Sequence, residues 1–202
     1  MKKVPALALL DFAGIPAGVD AVDALLKKAS IDFLRSGTVT HGRFLVLFGG
    51  STGATAEALG AAVAVGGAPL LDRAFLPDIH PALFDAVFGA RREPSGSLLV
   101  LETATASSLL RAVEAALKGT PVDLVELRLS DDGLAGKAIA FLCGSLPDVE
   151  AALQLAEGGL GDPPLGLTHR LIAAPHEALE RGLAAATRFV DAPLLELDGE
   201  KG

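Results

Sequence analysis

Hydrophobic and polar residues follow one another in blocks that predict short strands interleaved with helices. An apolar run at residues 5–10 predicts a first strand. The helix after it has an apolar face at helical spacing, made of Val19, Val22, Leu26 and Ala29. The run at residues 43–48 is so apolar that we expect a strand with both faces covered or one at a subunit contact. A second helix is predicted at residues 54–65.

The same order of elements returns in the second half, because the chain contains an internal repeat. AVDALLK at residues 21–27 matches AVEAALK at 112–118, which lies 91 residues further on. GRFLVLFGGS at 42–51 matches GKAIAFLCGS at 136–145, and IHPAL at 79–83 falls on PHEAL at 175–179. The copies are joined by GARREPSGS at 89–97, whose Gly, Pro, Ser and charged residues are typical of a linker.

Copy two has its own apolar periodicity and its own helix cap, which predict the same elements. Strands are predicted at residues 98–102, 122–129 and 137–142, and the first helix has an apolar face of Leu109, Val113, Ala116 and Leu117. The alternation at 122–129 predicts two strand faces, one with Val125, Leu127 and Leu129 and the other with Leu124, Glu126 and Arg128. Ser145 is expected to cap a second helix at 148–157, with Asp148 three residues later.

A fourth strand and a short final helix close each unit. Strands interleaved with helices on a small sheet predict an α/β fold of the α+β sandwich type, with all helices on one side of the sheet. We predict two tandem homologous domains, each a four-stranded sheet with helices. The first domain covers residues 1–90, a linker covers 91–97, and the second domain covers 98–202.

Composition narrows the classes of partner. The net charge of −8 over 202 residues disfavours a general affinity for nucleic acid or for an anionic membrane surface. One cysteine, Cys143, excludes an intramolecular disulfide and an iron–sulfur cluster held by the thiolates of one chain. Asp11 interrupts the first apolar run too early for a signal peptide, and no run is long enough for a membrane helix. We therefore expect a soluble cytoplasmic protein.

The stretch FLVLFGGSTGATAEAL at residues 44–59 has the strand, glycine-rich turn and helix of many phosphate-binding loops. Its twin in copy two, FLCGSLPDVEAAL, has Leu146 and Pro147 where copy one has Thr52 and Gly53. Copy two therefore lacks a glycine and an N–H that a phosphate loop needs. We interpret both as strand-to-helix turns, and an anion at the helix start of copy one remains the alternative.

The histidines and serines of the chain do not form a recognisable catalytic motif. As a catalytic base, His169 could be paired with Asp162 or with His176. The candidate nucleophiles are Ser51, Ser107 and Ser108. None of these lies in a known nucleophile motif, and no paired His/Asp spacing for a metal occurs. Strand or loop polarity accounts for each residue, so we predict no enzyme activity, no cofactor and no bound metal.

The repeated elements carry a resemblance to a known family. The helices AVDALLK and AVEAALK with their final Lys27 and Lys118, the segments THGRFLVLFGG and LAGKAIAFLCG, the start GSLPDVEAAL and the ending IAAPHEAL resemble bacterial microcompartment shell proteins. Two such domains in one chain resemble the tandem type, which forms trimers similar to the hexamers of the single-domain type. The order is unpermuted, and the resemblance runs from about Val4 to Val190.

The resemblance implies a structural role. The chain would form a pseudohexameric trimer that tiles the facets of a microcompartment with other shell proteins, namely single-domain hexamers and pentamers, and would pass small metabolites through a central pore. Lys27 and Lys118 match the lysine at the tile edge, although a lysine also simply complements a helix C-terminus. The edge motif falls on Pro175 and His176, and on His80 in copy one. Its arginine is replaced by Ala174 and Asp78.

The resemblance also places the pore. The pore loop matches Thr40, His41 and Gly42 in copy one and Leu134, Ala135 and Gly136 in copy two, with Asp131 and Asp132 adding negative charge before the second loop. Three His41 side chains round a threefold axis would bind an anion when protonated or a metal when neutral, or would carry no ligand. Cys143 lies at the far end of the third strand, so we expect no iron–sulfur cluster in the pore.

One alternative from another class remains open. A small α/β sensor that binds a ligand in clefts between the subunits of a trimer would share this fold class. A shell protein associates laterally into sheets or closed particles, whereas a sensor stays a discrete trimer and responds to a metabolite.

Overall fold

The computed structural model describes residues 4–161, 166–195 and 197. The first copy contains β1 (Ala6–Phe12), α1 (Ile15–Lys28), β2 (Phe33–Val39), a 3-10 turn (Thr40–Gly42), β3 (Arg43–Gly50), α2 (Thr52–Gly66), β4 (Leu70–Pro77) and α3 (Pro81–Val87). The second contains β5 (Ser97–Thr103), α4 (Ala106–Gly119), β6 (Asp123–Leu129), β7 (Ala138–Gly144), α5 (Leu146–Gly158), β8 (Leu167–Ile172) and α6 (Glu177–Ala185). Asp162 and the last residues of the predicted second domain, 198–202, lie outside the described part.

Each copy folds into one four-stranded antiparallel sheet. The strand orders are β2-β3-β1-β4 and β6-β7-β5-β8, so the two sheets have the same topology. This confirms the predicted fold class of two tandem units in unpermuted order. The registers also fix which residues are equivalent. Ala74 lies opposite Leu9 in the first sheet, and Arg170 lies opposite Val100 in the second.

The first sheet is covered on both faces. Ala8, Leu10 and Phe12 of β1 pack with residues of α1 and α2. Leu7 and Leu9 point to the other face, where they join a cluster that includes residues of α3 and continues into copy two. The expectation that all helices lie on one side of the sheet was therefore wrong for α3, because the second apolar face of β1 also needs a cover.

The apolar stripe predicted for α1 is divided. Val22 and Ala29 are partly buried against the core of the first copy, whereas Val19 and Leu26 face outward. Gly18, Ala21 and Leu25 are the buried residues of this helix, whereas Val19 is 53% exposed and Leu26 is 52% exposed. In α4 the predicted residues are buried, and so is the neighbouring Leu110, because β4 of the first copy packs against this helix. Val19 and Leu26 of this pattern therefore mark an apolar surface that stays exposed in the single chain.

β6 departs from the predicted two-residue alternation. The pairing of β6 with β7 shifts between Leu124 and Glu126, which leaves Val125 as a bulge. Leu124 and Leu127 consequently belong to the same core cluster, although they were predicted on opposite faces. A bulge adds one residue to one strand and so reverses the faces of the residues on either side of it.

The glycine-rich turn after β3 is explained by close packing. A Cβ on Gly49 would lie 2.6 Å from the carbonyl oxygen of Ala6 and 2.6 Å from the ring of Phe33. Ser51 caps α2 by accepting a hydrogen bond from the N–H of Ala54 (3.2 Å), and Ser145 caps α5 by accepting one from Asp148 (3.4 Å), as predicted for copy two. Both stretches are strand-to-helix turns.

Candidate functional site

The two predicted pore loops of one chain lie side by side. Thr40 Oγ1 accepts a hydrogen bond from the N–H of Gly136 (3.1 Å), which links the 3-10 turn to the loop between β6 and β7. Arg43 strengthens the link, since its Nη1 donates to the carbonyl oxygens of Gly136 (2.7 Å) and Ala104 (2.8 Å). His41, at φ 66°, and Ala135, at φ 50°, are exposed in the left-handed region. The two loops are thus held as one unit.

Arg43 was not singled out from the sequence. The available signal was its position as the single charged residue at the start of an otherwise apolar strand, where copy two has Lys137. Lys137 does not make the contacts that Arg43 makes. Its ammonium instead donates a hydrogen bond to Glu102 (2.8 Å). The polar residue at this strand start therefore reaches across a domain junction in copy one and remains within its own domain in copy two.

Asp131, predicted to add negative charge at the pore, has its charge balanced by two arginines. Its carboxylate accepts from Arg128 Nη2 (2.6 Å) and from Arg188 Nη2 (2.7 Å), which follows α6. Burial alone raises the pKa of Asp131, but these hydrogen bonds outweigh it and hold the pKa below its ordinary value. Asp132 is exposed, and its carbonyl oxygen accepts a hydrogen bond from Arg128.

This network predicts a stability loss in acid. A carboxyl whose pKa is lowered in the folded state stabilises the fold above the unfolded value, about 3.9, and loses that contribution as the pH falls through the lowered pKa. We expect Asp131→Asn to flatten the fall of the melting temperature between pH 5 and pH 2, measured by circular dichroism. Asp132→Asn is the matched control and should keep the slope of the unaltered chain. Equal slopes for all three proteins would contradict the assignment.

Gly136 is fixed in place by its neighbours. Its φ of +83° lies in the left-handed region, and an added Cβ would lie 2.8 Å from the guanidinium carbon of Arg43. We expect Gly136→Ala to lower the unfolding free energy by about 2 kcal/mol, from backbone strain together with loss of the Arg43 contacts. Gly42→Ala is the control, because Gly42 also has a positive φ of +67° but no atom within 4 Å of its added Cβ. Equal losses in chemical denaturation would show that Arg43 contributes nothing.

The two domains are joined by a polar network at the start of α4. Asp11, which is fully buried in β1, accepts hydrogen bonds from the N–H groups of Ala106 (3.0 Å) and Ser107 (2.9 Å) and from the hydroxyl of Ser107 (2.5 Å). Burial raises the pKa of Asp11, although these hydrogen bonds act in the opposite direction. A side chain of the first domain therefore caps the first helix of the second.

Asp72 of β4 extends this network. Its carboxylate accepts from the hydroxyls of Thr105 (2.5 Å) and Ser108 (2.6 Å) and forms an ion pair with Arg111 (3.0 Å). Burial by itself raises the pKa of Asp72, but the bonds from Arg111, Ser108 and Thr105 leave it below the ordinary value. We call the contact of α4 with β4 and the end of β1 the internal seam. None of the polar residues of the internal seam was predicted to act there, because the two sides of the seam are remote from each other in the sequence.

The predicted edge residues occupy helix ends. Lys27 is exposed and pairs with Asp23 (2.5 Å), whereas Lys118 pairs with the buried Glu114 (2.7 Å) and donates to the carbonyl oxygen of Pro77 (3.3 Å). His80 and His176 each cap the following helix, since their Nδ1 atoms accept from the N–H groups of Ala82 (3.3 Å) and Ala178 (3.1 Å). Pro175 directly precedes the second of these caps. The edge role of these residues remains a prediction.

The residues named for catalysis are not assembled into a site. The hydroxyls of Ser107 and Ser108 are bound within the internal seam, and Ser51 caps α2. His169 of β8 is partly exposed and lies 4.0 Å from Glu157 of α5. Cys143 is buried at the end of β7, and burial raises the pKa of its thiol. Within residues 4–161, 166–195 and 197 there is no group of three or more metal-ligating side chains, and no helix long and apolar enough to cross a membrane.

Comparison with known proteins agrees with the repeated fold. The BMC domain family matches the chain twice, at residues 6–79 and 97–169. The bacterial microcompartment shell protein PduT of Citrobacter freundii is 31% identical over 87% of this chain and 96% of its own length. A microcompartment protein from Desulfitobacterium hafniense is 29% identical with a TM-score of 0.73, over 89% of this chain and 99% of that one.

A fused permuted hexameric shell protein of the RMM microcompartment is also similar, at 26% identity and a TM-score of 0.57, over 79% of this chain and 86% of that one. Each of these matches covers more than three quarters of this chain. The chain thus belongs to the family of bacterial microcompartment shell proteins, as a member with two tandem BMC domains.

Proposed function

We propose that three copies of this chain close into a pseudohexameric ring that tiles the facets of a microcompartment and carries a central pore for metabolites. In this proposal residues 1–90 form the first domain, 91–97 the linker and 98–202 the second domain. The internal seam supports this proposal. It joins a helix, α4, to a strand, β4, and the chain exposes a second copy of each surface that is not used within the chain. A ring joins these surfaces and leaves none unpaired.

The first unused surface is the outer face of α1. Residues that lie 91 positions apart are equivalent in α1 and α4, so Val19 corresponds to Leu110 and Leu26 to Leu117. Leu110 is 0% exposed and Leu117 is 5% exposed beneath the first domain, whereas Val19 and Leu26 are each about half exposed. An exposed apolar helix face whose twin is buried by β4 is expected to be buried by an equivalent strand.

The second unused surface is β8. In β4 the residues that face α4, Ala74 and Leu76, are buried, but the residues at the same register in β8, Arg170 and Ile172, are exposed or half-buried. Placing α1 of a second chain on β8 therefore repeats the internal seam between chains. The number of three chains rests on the resemblance to hexameric shell proteins, since three tandem chains supply six domains.

The loops and helix ends take their functions from this ring. Loops of Thr40, His41 and Gly42 would alternate with loops of Leu134, Ala135 and Gly136 around the axis, and their size and charge would filter metabolites. Lys27 and Lys118 would lie at the tile edges, where single-domain hexamers and pentamers of the shell are the neighbours. Ala174 and Asp78 stand in place of the edge arginine, so we expect weaker or more selective lateral contacts.

Two measurements test the proposal. Light scattering after size exclusion should give three times the mass of the chain, and negative-stain images should show discs that form sheets when a single-domain shell protein is added. A monomer with no co-assembly would contradict the proposal. A discrete trimer that never associates laterally, but changes its melting temperature with a metabolite, would instead favour the sensor alternative.

A further inference from the structure

The internal seam contains an ion pair whose cation lies on the helix and whose anion lies on the strand. The base, Arg111, lies on the helix, and the acid, Asp72, lies on the strand, with Nη1 and Oδ1 3.0 Å apart. The pair is mostly buried, as 20% of the Arg111 side chain and 9% of the Asp72 side chain are exposed. Partial burial makes the contact sensitive to the sign of each charge.

The equivalent positions on the two unused surfaces have the opposite arrangement. Asp20 of α1 stands where α4 has Arg111, so the helix carries the acid. Thr168 of β8 stands where β4 has Asp72, and Arg170 stands two residues further on, where β4 has Ala74. The strand therefore carries the base. Asp20 and Arg170 are both exposed, and within the described residues neither forms an ion pair.

The sizes of the facing side chains are also exchanged between the helix and the strand. In the internal seam a small strand residue, Ala74, accompanies a large helix residue, Leu110, and both are fully buried. On the unused surfaces the strand has the long Arg170 and the helix has the smaller Val19. The volume added on the strand is thus partly removed from the helix, as complementary packing of α1 on β8 requires.

We propose that Asp20 of one chain pairs with Arg170 of a second copy of the same chain, and that this reversed ion pair makes the seam between chains selective. The inference rests on the proposed ring and names the residues that decide which surfaces meet. Docking α4 on β8 would bring Arg111 to Arg170 without Asp72. Docking α1 on β4 would bring Asp20 to Asp72 without Arg111. Each wrong pairing places like charges together in a partly buried contact.

Charge-reversal variants test the pair. We expect Asp20→Arg and Arg170→Asp each to raise the protein concentration at which half of the trimer dissociates by at least tenfold, measured by mass photometry. The double variant Asp20→Arg/Arg170→Asp should return to within about threefold of the unaltered chain, since the pair is restored in reverse. Glu57→Arg, an exposed charge reversal on α2, is the control and should have no effect.

Subunit exchange tests the selectivity directly. When the double variant and the unaltered chain are mixed with different tags, each mixed seam brings two acids or two bases together. We therefore expect the two proteins to sort into separate trimers. Random mixing, or single variants that dissociate like the unaltered chain, would overturn the inference while the trimer itself stands. An unaltered chain that is monomeric at all concentrations would instead contradict the proposed ring.

Discussion

A Val19→Asp variant is expected to be a folded monomer at concentrations where the unaltered chain is a trimer. Val19 is 53% exposed in the single chain, so a carboxylate there meets water and leaves the fold intact. In the ring the same position is covered as Leu110 is covered in the internal seam. A carboxylate placed there beside Asp20 sets two acids against the single Arg170, so one carboxylate is buried without a partner, which is strongly unfavourable. We expect the dissociation midpoint to rise by roughly 100-fold or more, because each seam loses several kcal/mol.

Two controls separate assembly from folding in this experiment. Leu110→Asp makes the same type of change at the equivalent residue, which is 0% exposed within the chain, and should unfold the protein or prevent its expression. Leu146→Asp places an acid on another exposed apolar residue, in the first turn of α5, and should leave the trimer unchanged. Circular dichroism reports the fold and light scattering the mass. A trimeric Val19→Asp variant would show that the outer face of α1 is not a subunit contact.

Replacing Asp11 with alanine is expected to lower the melting temperature by roughly 6–12 °C, which corresponds to about 3 kcal/mol for a chain of this size. The substitution removes the acceptor for the N–H groups of Ala106 and Ser107, which are buried at the domain junction. It also removes one of two acceptors of the Ser107 hydroxyl, which keeps the carbonyl oxygen of Leu9 (3.1 Å). Buried donors without an acceptor account for most of the loss.

This loss should be measured in the monomeric Val19→Asp background, so that trimer dissociation does not contribute. Glu102→Ala is the matched control, because Glu102 occupies the equivalent position on β5 but pairs with the exposed Lys137. An exposed pair of this kind contributes about 1 kcal/mol or less. Similar melting temperatures for the Asp11 and Glu102 variants would show that the cap on α4 does not hold the domains together.

The repeat made most of the fold predictable from the sequence. Two copies with matching segments predicted the same elements twice, and Ser145 was correctly identified as a helix cap because capping depends on residues only three positions apart. The faces of β6 were predicted wrongly, since a bulge at Val125 depends on how β7 pairs with it. Local patterns specify elements, and partner strands decide their register.

The site was less predictable than the fold. Asp11, Asp72 and Arg43 act across a domain junction, and nothing near them in the sequence names their partners on α4 and its neighbouring loops. The apolar stripe of α1 was assigned to the core of its own chain, which holds for Val22 and Ala29 but not for the exposed Val19 and Leu26. Periodicity reports that a face avoids water, and it does not report which molecule covers that face.

The linker between the copies changes how a ring depends on concentration. Arg92 of this linker donates its N–H to the carbonyl oxygen of Val125 (2.9 Å) and forms an ion pair with Asp123, which ties the linker to the second domain. The internal seam joins that domain to the first within the same chain. In the proposed ring three of six contacts are then intramolecular. Assembly from three chains varies with the third power of free protein, whereas six separate domains would require the sixth power. A tandem tile can therefore persist at dilutions where a ring of single domains has already fallen apart.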